Sequence, residues 1–236
     1  MKWLQMNSKI SVLIPAAGQG KRMESSVKKP YLMLADKPIL SHTIDCFEQN
    51  SAIDEIFVIV DESDFIACRE NVLAPFRYRK VRELVAGGET RQISVFNGLR
   101  ALSDDVDFVI VHDGVRPFIN DDIISQCLEA AAECGAAVSA VPVKETIKVA
   151  NEELFIVDTP ERDRLWRVQT PQVFRKSLLI EAHKKATQNE IDATDDAALV
   201  ENLGFPVKLV MGSYKNMKLT TPEDLRIAET LRNDKI

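Results

Sequence analysis

Short apolar runs, too brief for buried helices, recur along this chain and alternate with amphipathic stretches. That alternation restricts it to a mainly parallel sheet covered by helices on both faces. The runs lie at 11–15, 55–60 (Glu-Ile-Phe-Val-Ile-Val), 81–86, 107–112 (Asp-Phe-Val-Ile-Val-His) and 136–141. Helical periodicity predicts helices over 39–50, 63–73, 90–102, 121–134, 175–187, 195–203 and 222–232. Thr221-Pro222-Glu223-Asp224 gives the last of these a cap, a proline at its first position and early acids. The expected fold class is therefore α/β, a Rossmann-like, doubly wound twisted sheet. Ligands of such sheets bind beyond the carboxyl ends of the strands, so the loops after 15, 60, 86 and 112 gather at one edge.

The first of those loops, Pro15-Ala16-Ala17-Gly18-Gln19-Gly20-Lys21-Arg22-Met23, is built from small residues and followed by the basic segment Lys28-Lys29-Pro30-Tyr31. Small residues let backbone N–H groups turn toward a ligand, and Lys21, Arg22, Lys28 and Lys29 surround them with cations, a combination suited to polyphosphate. Two better-known phosphate loops fail here. Met23 stands where a dinucleotide fingerprint needs its third glycine, and Arg22 follows Gly20-Lys21 where a Walker loop needs Ser or Thr. An ordinary strand-to-loop turn with a solvated basic flank remains the alternative.

The basic cluster stands out because the 236-residue chain carries a net charge of -6. That balance argues against nucleic acid or an acidic membrane as partner. The four cysteines (Cys46, Cys68, Cys127, Cys134) form no C-x-x-C pair or metal-ligand spacing and suggest reduced thiols in a cytoplasmic protein, with Cys127 and Cys134 packing on one helix face. Residues 1–8 read as a short tail without a signal-peptide core, no run approaches a membrane span, and 9–236 reads as a single domain.

Other candidate groups fall on the same edge. Gly87-Gly88-Glu89-Thr90-Arg91-Gln92-Ile93-Ser94 follows a strand and opens a helix, so its glycines could admit a base or ribose while Ser94 faces the ligand; a plain capped turn is the competing account. In His112-Asp113-Gly114-Val115-Arg116-Pro117 the carboxylate suits Mg²⁺ or a substrate hydroxyl, against a purely structural Asp113–Arg116 pair. His42, His112 and His183 are scattered, which leaves them packing or surface roles and supports neither a zinc site nor a nucleophile dyad. No serine stands in a G-x-S-x-G elbow. Asp36 reads as a turn residue.

Beyond 141 the pattern changes to a β-hairpin, with strands over 142–149 and 154–158. Its apolar content exceeds what an arm of about 142–166 can bury alone, so a second copy of the chain is the expected partner. Arg162 and Arg164 stand at its foot. Thr170-Pro171-Gln172 leads to another helix, Thr194 reads as a helix cap, and Lys218 points either to solvent or into the cleft.

Taken together, Pro15-Ala16-Ala17-Gly18-x-Gly20-x-Arg22-Met23, Gly87-Gly88-x-x-Arg91-x-x-Ser94, His112-Asp113-x-x-Arg116-Pro117, Thr170-Pro171-Gln172, Thr194-Asp195 and Asn216-x-Lys218-x-Thr220-x-Pro222-Glu223-Asp224-Leu225 resemble the 2-C-methyl-D-erythritol 4-phosphate cytidylyltransferases. The resemblance runs from about residue 9 to the C-terminus. It implies transfer of a cytidylyl group from CTP to a sugar phosphate in non-mevalonate isoprenoid synthesis, with Mg²⁺ and a homodimer. By position, Arg22 and Lys29 match transition-state cations; Lys218 and the other subunit's arm residue Arg162 match those that place the sugar phosphate. Asp113, Arg116, Thr146 and Thr194 match substrate contacts, with Asp113 also the metal candidate. Ala16, Ala17, Gly18, Gly20, Gly87, Gly88 and Ser94 match the CTP pocket.

Two positions depart from the family pattern. Lys28-Lys29-Pro30 replaces a lysine preceded by Pro and followed by Gln, so Lys28 competes for the role of Lys29; Glu89 stands where Asp is common. Ribitol-5-phosphate cytidylyltransferases share most of these motifs, though the Pro15-Ala16-Ala17 opening favours the methylerythritol enzymes. A non-catalytic nucleotide-binding module and a dinucleotide-dependent oxidoreductase are the readings from other classes.

Overall fold

The computed structural model describes residues 8–18 and 27–233. Gly20 and Arg22, with Gln19, Lys21 and Met23 beside them, lie outside the described residues. In chain order the elements are β1 (Ile10–Pro15), β2 (Met33–Leu34), β3 (Lys37–Pro38), α1 (Ile39–Glu48), β4 (Glu55–Val60), α2 (Phe65–Cys68), β5 (Val81–Ala86), α3 (Arg91–Ala101), β6 (Phe108–Val111) and α4 (Asp121–Cys134). There follow β7 (Ala136–Pro142), β8 (Val149–Ala150), β9 (Ile156–Asp158), β10 (Trp166–Arg175), α5 (Lys176–Gln188), α6 (Asp196–Glu201), β11 (Lys208–Met211) and α7 (Pro222–Asn233).

A seven-stranded sheet in the order β11-β7-β10-β6-β1-β4-β5 organises the molecule. All its pairings are parallel except those of β10, which runs antiparallel to both β6 and β7. The expected α/β class is therefore met. Side-chain alternation along β1 explains why its run is unbroken: Ile10, Val12 and Ile14 join a core with α1 and α4, while Leu13 joins a second core with α3, α5 and α6. Full burial of each such side chain contributes roughly 1.5–3 kcal/mol relative to exposure.

The expected strand positions hold to within a residue or so. Helix α4 matches 121–134 to the residue because both ends carry strong signals: Asn120 accepts from Ile123 N–H, and Gly135 takes the left-handed φ of 91° that stops the helix. The helix expected over 63–73 is broken instead into a 3₁₀ turn at Glu62–Asp64, α2, and a π-helical turn at Arg69–Leu73. Cys134 is exposed while Cys127 is buried, so only Cys127 packs as expected. Asp195, whose side chain accepts from Ala198 N–H, caps α6 in place of Thr194.

Strands β10 and β11 have no counterpart in the sequence reading. Pro171 interrupts β10, and its missing N–H is accommodated because the pairing with β7 shifts register between Val168 and Gln172. The hairpin exists but is shorter than expected: β8 pairs with β9 only around Val149–Asp158 and Ala150–Ile156.

Candidate active site

The carboxyl ends of β1, β4, β5 and β6 meet where the loops were expected to converge. Ala16 N–H donates to Ile59 O at 2.7 Å, Gly87 N–H to Val60 O at 2.8 Å, and Gly114 N–H to Pro15 O at 3.1 Å. These bonds press the loops together until only small residues fit. A Cβ built on Gly87 would stand 2.5 Å from Ala17 Cβ, and one on Gly88 would stand 2.2 Å from Ile93 Cγ2. Ser94 Oγ accepts from Gly88 N–H at 3.0 Å and donates to Thr90 O at 2.9 Å, so its hydroxyl holds the two-glycine turn in place. The capped turn is also present, since Thr90 accepts from Ile93 N–H. Among the described residues, nothing stands within 4 Å of a Cβ built on Gly18.

Beside this shelf, Asp113 gathers three cations. Its Oδ2 receives Lys218 Nζ at 3.0 Å and Arg116 Nε at 3.3 Å, and its Oδ1 lies 3.5 Å from Arg91 Nε. Burial alone would raise the Asp113 carboxyl, but Lys218, Arg91 and Arg116 outweigh it and hold the group well below the usual carboxylate range. Asp113 is thus firmly ionised. Arg116 donates from Nη1 to Asn216 O at 2.8 Å, and Asp113 N–H donates to Thr170 Oγ1 at 3.1 Å. A cavity of about 240 Å³ opens over these groups, lined by Arg91, Asp113, Arg116, Thr170, Thr194 and Lys218 among others. A larger depression of about 770 Å³ lies at the opposite end of β6, against α5, and contains none of the motif residues.

Arg91 is the residue that sequence reasoning missed. It sits in the first turn of α3, where a cation opposes the helix dipole, and that mismatch is the legible sign that it is held for another purpose. Its Nη1 lies 2.6 Å from Asp196 Oδ2, and Asp196 in turn bonds His183 Nε2 at 3.1 Å. His42, His112 and His183 are all buried, in line with a packing role, and each is hydrogen-bonded.

Adjacent Lys28 and Lys29 differ. Lys28 Nζ lies 2.5 Å from Asp61 Oδ2 and 2.7 Å from Asp64 Oδ2, carboxylates of the loop after β4; Lys29 opens a 3₁₀ turn and is buried. Thr146 and Arg162 stand apart from the cavity, exposed on the arm, where Arg162 Nη1 donates to Lys144 O at 3.1 Å. Thr194 is exposed at the cavity rim.

Residues 10–233 match the family model described as 2-C-methyl-D-erythritol 4-phosphate cytidylyltransferase. The chain belongs to that family. A cytidylyltransferase of this name from Alkaliphilus metalliredigens (strain QYMF) is 49% identical over 228 residues, covering 97% of this chain and 95% of its own. Another from Syntrophotalea carbinolica is 51% identical over 221 residues, covering 93% and 94%. Among solved structures, the 4-diphosphocytidyl-2C-methyl-D-erythritol synthase of Anaerococcus prevotii superposes with a TM-score of 0.85 at 32% identity, with 96% of each chain covered. The 2-C-methyl-D-erythritol 4-phosphate cytidylyltransferase of Thermus thermophilus gives 0.78 at 35% identity, covering 95% of this chain and 99% of that one. As a cytidylyltransferase, the chain is an enzyme of the nucleotidyltransferase class.

Proposed function

We propose that this cleft carries out the family's reaction, cytidylyl transfer from CTP to 2-C-methyl-D-erythritol 4-phosphate, giving CDP-methylerythritol and pyrophosphate for isoprenoid precursor synthesis. The observation that carries the reading is the convergence of Lys218, Arg116 and Arg91 on buried Asp113, directly beside the shelf of Ala16, Ala17, Gly87 and Gly88. The shelf suits a flat base and ribose, and the cations suit a phosphate monoester. Lys218 is the cation most readily turned from Asp113 to an incoming phosphate, because its side chain is 41% exposed and loses little burial by moving.

The chemistry needs no general base. A phosphate monoester has its second pKa near ~6 and is already a dianion at neutral pH. One of its oxygens attacks the α-phosphorus of CTP, the new P–O bond forms as the bond to pyrophosphate breaks, and no proton has to move. The site must align two anions and neutralise the charge that builds on the α-phosphate and leaving group. We assign Arg22 and Lys29 to the α-phosphate, Lys218 and a partner's arm residue Arg162 to the acceptor phosphate, and Asp113, Arg116, Thr146 and Thr194 to the remaining acceptor contacts. Gly18, Gly20 and Ser94 complete the CTP side.

A divalent cation, Mg²⁺, fits this arrangement through Asp113. No group of three or more His, Cys, Asp or Glu stands together among the described residues. With Lys218 turned from Asp113 to the incoming phosphate, the ionised carboxylate would offer one oxygen to Mg²⁺, which would take the rest of its shell from phosphate oxygens and water. Such an ion supplies charge neutralisation on the triphosphate.

The arm supports a homodimer. Leu154, Phe155, Ile156 and Val157 are exposed by 85%, 72%, 63% and 60%, a contiguous apolar surface on a two-stranded element that is marginal alone. A second arm covers it and brings Arg162 to the neighbouring cleft. Residues 9–236 then act as one catalytic domain, 1–8 as a tail and about 142–166 as the dimer arm. Four free thiols suit the cytoplasm, and no described helix is long and apolar enough to cross a membrane.

The test is pyrophosphate release from CTP with 2-C-methyl-D-erythritol 4-phosphate or ribitol 5-phosphate as acceptor. Release with the first alone is expected. Release with ribitol phosphate alone would reassign the acceptor.

A further inference from the structure

His112 follows β6 directly, is 0% exposed, and stands edge-on to Phe47 with ring centroids 5.0 Å apart. Its Nε2 lies 3.0 Å from the carbonyl oxygen of Arg116. A carbonyl has no proton to give, so Nε2 carries the hydrogen. In a neutral imidazole that leaves Nδ1 as an acceptor. Nδ1 lies 3.1 Å from Thr170 Oγ1, whose hydroxyl therefore donates to it. Having given up its one proton, the Thr170 oxygen is left to accept, and Asp113 N–H meets it at 3.1 Å.

The remaining bonds close a circuit. The Arg116 side chain donates to the Asn216 carbonyl at 2.8 Å, and Asn216 Nδ2 donates to the Thr170 carbonyl at 2.8 Å. Each of four side chains thus bonds the next residue around the ring: His112 to Arg116, Arg116 to Asn216, Asn216 to Thr170, and Thr170 back to His112. Segments 46 or more residues apart in sequence are fastened in this way. Site groups hang from the ring at several points: Arg116 belongs to it, Asp113 is tied to Thr170, and Lys218 lies two residues beyond Asn216. Only the Nε2–H tautomer satisfies every link. Its Nδ1–H counterpart would leave the buried Arg116 carbonyl without its imidazole donor.

We infer that His112 is a positioning residue for the transfer reaction, locked as the Nε2–H tautomer and acting on Asp113 and Arg116 through Thr170 and the Arg116 carbonyl. The inference rests on the assignment of Asp113 and Arg116 to contacts with the acceptor sugar phosphate in the proposed reaction. Losing a buried hydrogen-bond partner at this ring is expected to lower kcat/KM for the sugar phosphate roughly ten- to a hundredfold. KM for CTP should stay nearly unchanged, because the shelf of Ala17 and Gly87 is not part of the ring.

Two measurements test this. In wild-type protein labelled with ¹⁵N-histidine, the His112 signals should show a protonated Nε2 and a bare Nδ1. The assignment comes from their loss in His112→Phe or, should that variant not fold, from their shift in Thr170→Val. In kinetics, His112→Phe and Thr170→Val should each lose acceptor kcat/KM, Thr170→Ser should recover it, and the double variant should lose no more than the worse single. The Thr170 pair alone decides if His112→Phe does not fold. An Nδ1–H tautomer, wild-type acceptor kinetics in His112→Phe or Thr170→Val, or additive losses would overturn the inference. If wild-type enzyme failed to turn over CTP with the sugar phosphate, the functional reading would fall, while the tautomer would still report on the ring.

Discussion

Arg91 places Nη1 2.6 Å from Asp196 Oδ2 and so joins the first turn of α3 to the first turn of α6 at the wall of the cleft. Burial alone would raise the Asp196 carboxyl, but Arg91 and His183 outweigh it and hold the group below its ordinary 3.8. A carboxyl depressed in the folded state stabilises the fold above pH ~3.8, and that contribution is lost as pH falls through the lower folded value.

Asp196→Asn removes the buried carboxylate between part-buried Arg91 and buried His183 and should cost about 1–3 kcal/mol at neutral pH. Its stability should also fall less steeply below pH ~4 than that of wild type, because the depressed carboxyl is gone. Urea denaturation at stepped pH checks both. An unchanged neutral-pH midpoint would mean the pair contributes little.

Lys28 is engaged by Asp61 and Asp64, whereas Lys29 is assigned to the α-phosphate. Lys29→Ala should lower kcat on the order of 10²–10³, as loss of a transition-state donor does, with little change in KM for CTP. Lys28→Ala should cost less than about tenfold, expressed mainly in KM for CTP, because its ammonium is already held by part-buried Asp61 and Asp64. Steady-state kinetics with CTP varied separates the two. Equal losses in kcat would end the division of labour.

Removing the ammonium that leans on Asp113 should act on the acceptor alone. Lys218→Met is expected to lower kcat/KM for the sugar phosphate by on the order of 10². CTP affinity, measured by calorimetry, should be retained. A variant that loses CTP binding to the same extent would place Lys218 on the nucleotide instead.

The arm prediction concerns sharing between subunits. Leu154→Asp combined with Phe155→Asp should convert dimer to monomer in light scattering and abolish transfer. More decisively, inactive Arg162→Ala mixed and reassembled with inactive Lys218→Ala should regain roughly a quarter of wild-type activity, since half the dimers pair one subunit of each kind and hold one intact site. No recovery in verified mixed dimers would confine Arg162 to its own subunit.

What could be read from the sequence tracks where hydrophobic burial dominated. Strands β1, β4, β6 and β7 are apolar on both faces and announce themselves, and α4 carries a cap at each end. Strand β10 is no less central, but Gln169, Thr170 and Gln172 point polar groups at Ser213, His112 and Asp195, and Pro171 breaks its pattern. The polarity that serves the site erased the signal that marks a strand. Most motif residues were visible on the sheet edge. The pairing of Lys28 with Asp61 and Asp64 was not, because nothing local ties residue 28 to a loop more than thirty residues on. Arg91 was quoted within a motif, yet its meaning depends on Asp196, 105 positions away.

Strand β10 also bears on how the molecule is made. It lies between β6 and β7, which precede it in the chain yet touch each other in the sheet only through it. A nascent chain that has emerged as far as β9 can pair β6, β1, β4 and β5, but it holds β7 apart with an unsatisfied edge on each side of the gap. Filling of that gap must therefore wait until Arg175 has left the ribosome, and Asp113 gains its Thr170 support only once β10 is in place. Until then β6 has one edge and β7 both edges open to solvent, which makes the interval before β10 arrives the time of greatest exposure to mispairing.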